Sequence, residues 1–95
     1  MANGYKVSIV KRSPGHVEPY DERKLYASIY ASCLSVRTPQ GEAELTADRV
    51  CRDLQPWLAT KDEITSADIR RKAAEHFTVY NPNAAYVYQH HRLIS

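Results

Sequence analysis

The apolar positions change period along the chain. Val7-Ser8-Ile9-Val10 alternates apolar and polar residues and is β-branched, which suits a strand over Lys6–Arg12. Ser13-Pro14-Gly15 is turn chemistry, and His16–Tyr20 can return as a second short strand. From Glu22 the spacing becomes helical. Leu25, Ile29 and Cys33 repeat at four, with Ala31 and Leu34 beside them, predicting a helix over Glu22–Leu34 capped by Asp21. Val36–Glu44 lacks apolar periodicity, contains Thr38-Pro39-Gln40-Gly41, and reads as a loop.

A second helix is predicted from an N-cap at Thr46. Ala47, Val50, Cys51, Leu54 and Leu58 keep the helical spacing, but Pro56 should stop or kink the helix near Leu54. Trp57 and Leu58 would then close the core from an irregular turn. After the polar turn Lys61-Asp62-Glu63, Ile64 and Thr65 can add a third strand to the hairpin. Thr65 or Ser66 would cap a third helix that buries Ile69, Ala73 and Phe77 and turns Arg70, Arg71, Lys72 and Glu75 outward. Asn81-Pro82-Asn83 breaks the chain, and a fourth helix is expected over Asn83–Ile94. The pattern predicts an α+β fold that is mainly helical: four short helices capped by a small three-stranded sheet. It forms one domain over 1–95, with Met1–Gly4 as a loose tail.

Composition narrows the function classes. The 95 residues suffice for one modest core, and 43% hydrophobic with 25% charged residues is ordinary for a globular chain. A net charge of +2 argues against DNA as the partner. Cys33 and Cys51 form no Cys-x-x-Cys pair and lie on apolar helix faces, so they read as small buried hydrophobes in a reducing compartment. No apolar run is long enough to cross a membrane, and Met1-Ala2-Asn3-Gly4 leads straight into the first strand without a signal peptide. The expected location is cytoplasmic. No Walker-type glycine loop and no local nucleophile–base signature is visible, so an enzyme is not expected.

The candidate chemistry lies at the strand ends and helix starts. Lys11 and Arg12 end the first strand and, being adjacent, point to opposite faces, so one can meet a ligand and the other solvent. The bland alternative is a solvated strand end. Lys24 adds a cation in the first turn of the first helix, where unpaired N–H groups favour anions. That combination suits a polyphosphate. Glu18 is either a surface carboxylate paired with Lys6 or Lys11, or an acceptor for an exocyclic amine. Two adjacent histidines, His90 and His91, diverge by about 100° on a helix and do not share a metal. With Arg92 they could instead reach phosphates.

Val10-Lys11-Arg12, a turn with glycine, then Val17-Glu18-Pro19-Tyr20-Asp21-x-x-Lys24-Leu25 resembles the start of the ATP-cone. That domain regulates ribonucleotide reductases and occurs in a bacterial repressor of their genes. Ile64-Thr65-Ser66-Ala67-Asp68-Ile69 is similar to the family's strand-to-helix segment, and Ala85-Tyr86-Val87 to its last helix, so the resemblance covers roughly Val7 to Arg92. It implies a regulatory domain that binds ATP or dATP, with or without Mg2+, and biases the assembly or activity of a partner. That partner would be a second copy of the chain or a ribonucleotide-reductase-type protein. The nucleotide-binding residues it implies are Val10, Lys11, Arg12, Glu18, Asp21, Lys24, Leu25 and Arg70. Glu18 and Asp21 match base-contacting positions, Lys24 and Leu25 match a polar contact and an apolar wall for the base, and Arg70 lies where some members present a basic residue to the phosphates. On pattern alone Leu25 is core, and Arg70 is one of three consecutive cations on a solvated face.

Two features depart from the family. The turn Arg12-Ser13-Pro14-Gly15 is one residue longer than the usual basic-acidic-Gly turn, and the 95 residues read as a stand-alone or excised cone, where the family normally carries a fused catalytic or DNA-binding partner. They motivate the alternative reading, a cone whose pocket has decayed and which serves as a protein-interaction or assembly module.

Overall fold

The computed structural model describes residues 8–10 and 17–90, with side chains from 19 to 90. These residues are mainly helical. The element order is β1 (Ser8–Val10), β2 (Val17–Pro19), α1 (Glu22–Ser35), α2 (Gln40–Leu58), β3 (Glu63–Thr65), α3 (Ser66–Tyr80) and α4 (Pro82–His90). In the sheet order β2-β1-β3, the central β1 runs antiparallel to β2 and parallel to β3.

Each helix boundary has a local cause. Asp21 caps α1 by accepting the Arg23 N–H at 3.0 Å. At its other end, Arg37 adopts φ 64°, Arg37 N–H donates to the Leu34 carbonyl at 2.9 Å and Thr38 N–H to Cys33 at 3.0 Å. This is the Schellman closure, with arginine where glycine is favoured. Thr65 caps α3 in a reciprocal box: its hydroxyl accepts Asp68 N–H at 3.0 Å, and Asp68 Oδ2 accepts Thr65 N–H at 3.3 Å.

The second helix corrects the expected boundaries at both ends. It begins at Gln40, inside the segment expected to be a loop, directly after Pro39. Ala43 is fully buried and extends the apolar stripe of Ala47, Val50 and Leu54 back by one turn. It also continues past Leu54, with Pro56 inside it, to Leu58. Pro56 leaves the Arg52 carbonyl without its helical donor, but Arg52 is exposed and water can serve that oxygen. Leu58 is 1% exposed, so burial rewards keeping the last turn helical and places Leu58 in the core from a helix, not an irregular turn.

The core lies between the four helices. Ile29, Val50, Leu54, Leu58 and Phe77 are its large, fully buried members, and Tyr88 of α4 stands edge-on to Phe77 with ring centroids 5.7 Å apart. Cys33 and Cys51 are free and buried, as their positions on apolar faces predict. Burial raises the Cys33 thiol above its ordinary value, opposed by a hydrogen bond from Asn81. Burial, aided by the charges of Glu22 and Asp48, pushes Cys51 up to about 12. No described helix is long and apolar enough to cross a membrane.

Candidate functional site

The sheet register sets where the candidate residues meet. Ser8 pairs with Pro19, and Val10 pairs with both Val17 and Thr65. The chain therefore enters α1 next to the Ser8 end of β1 and α3 next to the Val10 end. Two helix starts flank opposite ends of one short strand, separated by about 7 Å of strand rise. Glu18 stands opposite Ile9 at the middle. Lys11 and Arg12 lie outside the described residues, and Val10 and Glu18 are described by their backbone alone.

On the α1 side, Oδ1 of Asp21 serves both the helix cap and an ion pair with Arg23 Nε at 3.7 Å. Lys24 is exposed in the first turn. Leu25 is buried and belongs to the core cluster, the role that its spacing gives it.

On the α3 side, the three consecutive cations separate by environment. Arg71 donates to Asp68 at 3.0 Å and Lys72 pairs with Glu75 at 3.5 Å. Among the described residues, no carboxylate lies within ion-pair distance of Arg70. Its guanidinium carbon instead lies 5.7 Å from the centre of the Tyr88 ring. The expectation that Arg70 faces solvent is corrected: it is half-buried. The reason is helical spacing, since Arg70 stands three, four and seven positions before Ala73, Ala74 and Phe77, all buried. Ile69, expected in the buried stripe, is only partly buried at its edge.

The remaining groups have other partners. Burial pushes the Tyr88 hydroxyl up to about 12, with the nearby Arg70 charge acting in the opposite direction. Asp68 is held below its ordinary value first by the Thr65 N–H, then by Arg71 and the Thr65 hydroxyl. His90 packs on Tyr86, ring centroids 4.3 Å apart, on the exposed side of α4. His91 and Arg92 lie outside the described residues. Among the described residues no group of three or more His, Cys, Asp or Glu is placed to hold a metal.

Two clusters were not singled out from sequence. Trp57 has the ammonium groups of Lys61 and Lys72 at 5.7 Å and 5.9 Å from its ring centre. Asp53 accepts a short hydrogen bond from the Tyr80 hydroxyl and has His76 Nδ1 at 3.6 Å, with Arg49 over the Tyr80 ring at 5.8 Å. The bond to Asp53 is the main cause that raises the Tyr80 hydroxyl. Both clusters join residues of α2 to α3 or to the segment between them, so only their tertiary meeting makes them visible.

No family model, no curated protein and no solved structure matches the chain.

Proposed function

We propose that the chain is a regulatory adenine-nucleotide-binding domain of the ATP-cone type, which binds ATP or dATP and biases the assembly or activity of a partner without catalysing a reaction itself. The observation that carries the reading is the state of Arg70. Of the three cations opening α3, it is the one with no carboxylate partner among the described residues, and it lies on the helix that begins beside Val10. A cation held on an aromatic ring can still give its bidentate donors to phosphate. Lys11 and Arg12 follow Val10 directly in sequence, so the phosphates would lie between the end of β1 and the start of α3. The base would lie toward Glu18 and the start of α1, with Lys24 beside it.

Regulation would work by linkage: a nucleotide that favours one conformation or assembly state shifts its population by the difference in affinity. Calorimetric titration with ATP, dATP and GTP tests the reading. Binding with preference for adenine nucleotides, and a raised melting temperature at saturating ATP, is the expected result. No heat and no thermal shift at millimolar nucleotide overturns it.

The second reading, an assembly module without nucleotide binding, draws on the exposed apolar side chains. Leu34, Leu45, Val79 and Tyr86 are exposed, Val79 by 78%. Substitutions there that abolish self-association, while Arg12→Ala and Lys24→Ala leave it intact, would favour that reading.

A further inference from the structure

The outer side of α2 carries charges that its own chain does not pair. Glu42, Leu45 and Arg49 follow at spacings of three and four, so they share one stripe of the helix, and all three are exposed. Glu42 and Arg49 stand two turns apart, about 10.5 Å of rise, beyond the spacing at which neighbours on a helix pair. Among the described residues, neither has an opposite charge within ion-pair distance: Asp48 is taken by Arg52, and Asp53 by Tyr80 and His76. Apolar side chains border the stripe from α3. The Tyr80 ring centre is 5.8 Å from the Arg49 guanidinium carbon. The exposed Val79 lies three positions after His76, on the side of α3 that meets Asp53.

We propose that this α2–α3 face pairs with the same face of a second copy about a two-fold axis, the two α2 helices running antiparallel. Glu42 and Arg49 are equally far from the midpoint between Leu45 and Thr46. An axis there sets Glu42 of each copy opposite Arg49 of the other, twice over, and brings the two Leu45 side chains together at the centre. Like charges meet at no matched position along α2: Glu44 falls opposite Ala47, Asp48 opposite Ala43 and Asp53 opposite Thr38. A parallel pairing would set Glu42 against Glu42 and Arg49 against Arg49. Leu45, Val79 and Tyr80 supply the attraction, and the charges fix the register. The proposal names a face and a partner for the assembly invoked above, and it needs no bound nucleotide.

Sedimentation equilibrium of the full chain without nucleotide tests it. The native chain is expected to form a dimer that dissociates on dilution. Glu42→Arg and Arg49→Glu each oppose like charges and should weaken that dimer about tenfold or more. Leu45→Glu should abolish it. The sharper arm mixes the two charge reversals: the stripe of one variant presents two cations and that of the other two anions, so the mixture should form a heterodimer as tight as the native dimer. The double variant, with both reversals, should also dimerise as the native chain does. A native chain that stays monomeric up to about millimolar concentration overturns the proposal. So does a dimer indifferent to these substitutions, or a mixture that associates no better than its components. Should Arg49→Glu not fold, Glu42→Arg and Leu45→Glu decide. None of these outcomes bears on ATP binding, which the calorimetric titration decides separately.

Discussion

The Asn81 side-chain amide donates to the Thr38 hydroxyl at 2.9 Å, tying the α3–α4 corner to the α1–α2 connection. Its other end is also used: Oδ1 accepts the Ala84 N–H at 3.1 Å and caps α4. The same amide nitrogen lies 3.9 Å from the Cys33 sulfur. One half-buried side chain thus serves three elements at the end of the bundle away from the sheet.

Asn81→Ala removes a cap and an interhelical hydrogen bond together. A loss of about 1–3 kcal/mol is expected in urea denaturation. Asn81→Asp keeps the cap and loses the donor, so it should recover part of that loss. An equal loss for both variants would mean that the Thr38 bond accounts for the whole effect.

Arg37 offers a gain. Its φ of 64° lies in the left-handed region, and its N–H already makes the closing bond to Leu34. Arg37→Gly keeps that bond and relieves the conformational cost, about 1 kcal/mol. The melting temperature should rise, and Arg37→Val should lower it.

High pH should unfold the protein through its buried acids. A thiol whose folded value lies above its ordinary one gives stability that is full below the ordinary value and is lost as pH climbs toward the folded one. For Cys51 that window runs from 9.0 to about 12. Within it stability falls by about 1.4 kcal/mol per pH unit for each such group. Tyr88 adds a similar fall from 10.0 to about 12. Cys51→Ala should make the slope that begins near 9 shallower, with Cys33 still contributing to it, and leave the slope that begins near 10. Denaturation midpoints measured from pH 8 to 11 check this.

The ligand itself is tested by substitutions at Arg12 and Glu18. Arg12→Ala is expected to weaken ATP binding by about 1.5–3 kcal/mol, the size of a hydrogen bond to a charged group. It should leave the melting temperature of the empty protein unchanged or slightly raised. Equal losses of affinity and of empty-state stability would make Arg12 a structural residue. Glu18→Gln can donate as well as accept, so it should change the preference between ATP and GTP. Unchanged discrimination would mean that the base lies elsewhere.

Legibility from the sequence followed the strength of each local signal. Asp21 and Thr65 are strong caps, and both helix starts lie where those caps put them. The start of α2 was hidden because Ala43 is a weak apolar mark and Gly41 suggests a turn, while only its tertiary partners bury Ala43. Pro56 signals a stop, but a missing donor near a helix end costs little when water reaches the abandoned carbonyl. Arg70 was hidden by its charge. Its spacing from Ala73, Ala74 and Phe77 marked the inner stripe, but a run of three cations reads as a solvated face. At the candidate site, the sequence supplied the strand-end motif and the cap at Asp21, but not Tyr88, which meets Arg70 only across two helices.

The parallel pairing of Val10 with Thr65 has a kinetic consequence. Contacts between α1 and α2, or α3 and α4, join neighbours in sequence and close short loops. The pairing of β1 with β3 must wait for a loop containing all of α1 and α2, and such closures are slow because their entropy is lost before any contact repays it. The helices are therefore expected to assemble first and the sheet last. A ligand that needs β1 in place would capture only chains that have completed this final step, and the rate of its capture would report on the folding of the domain.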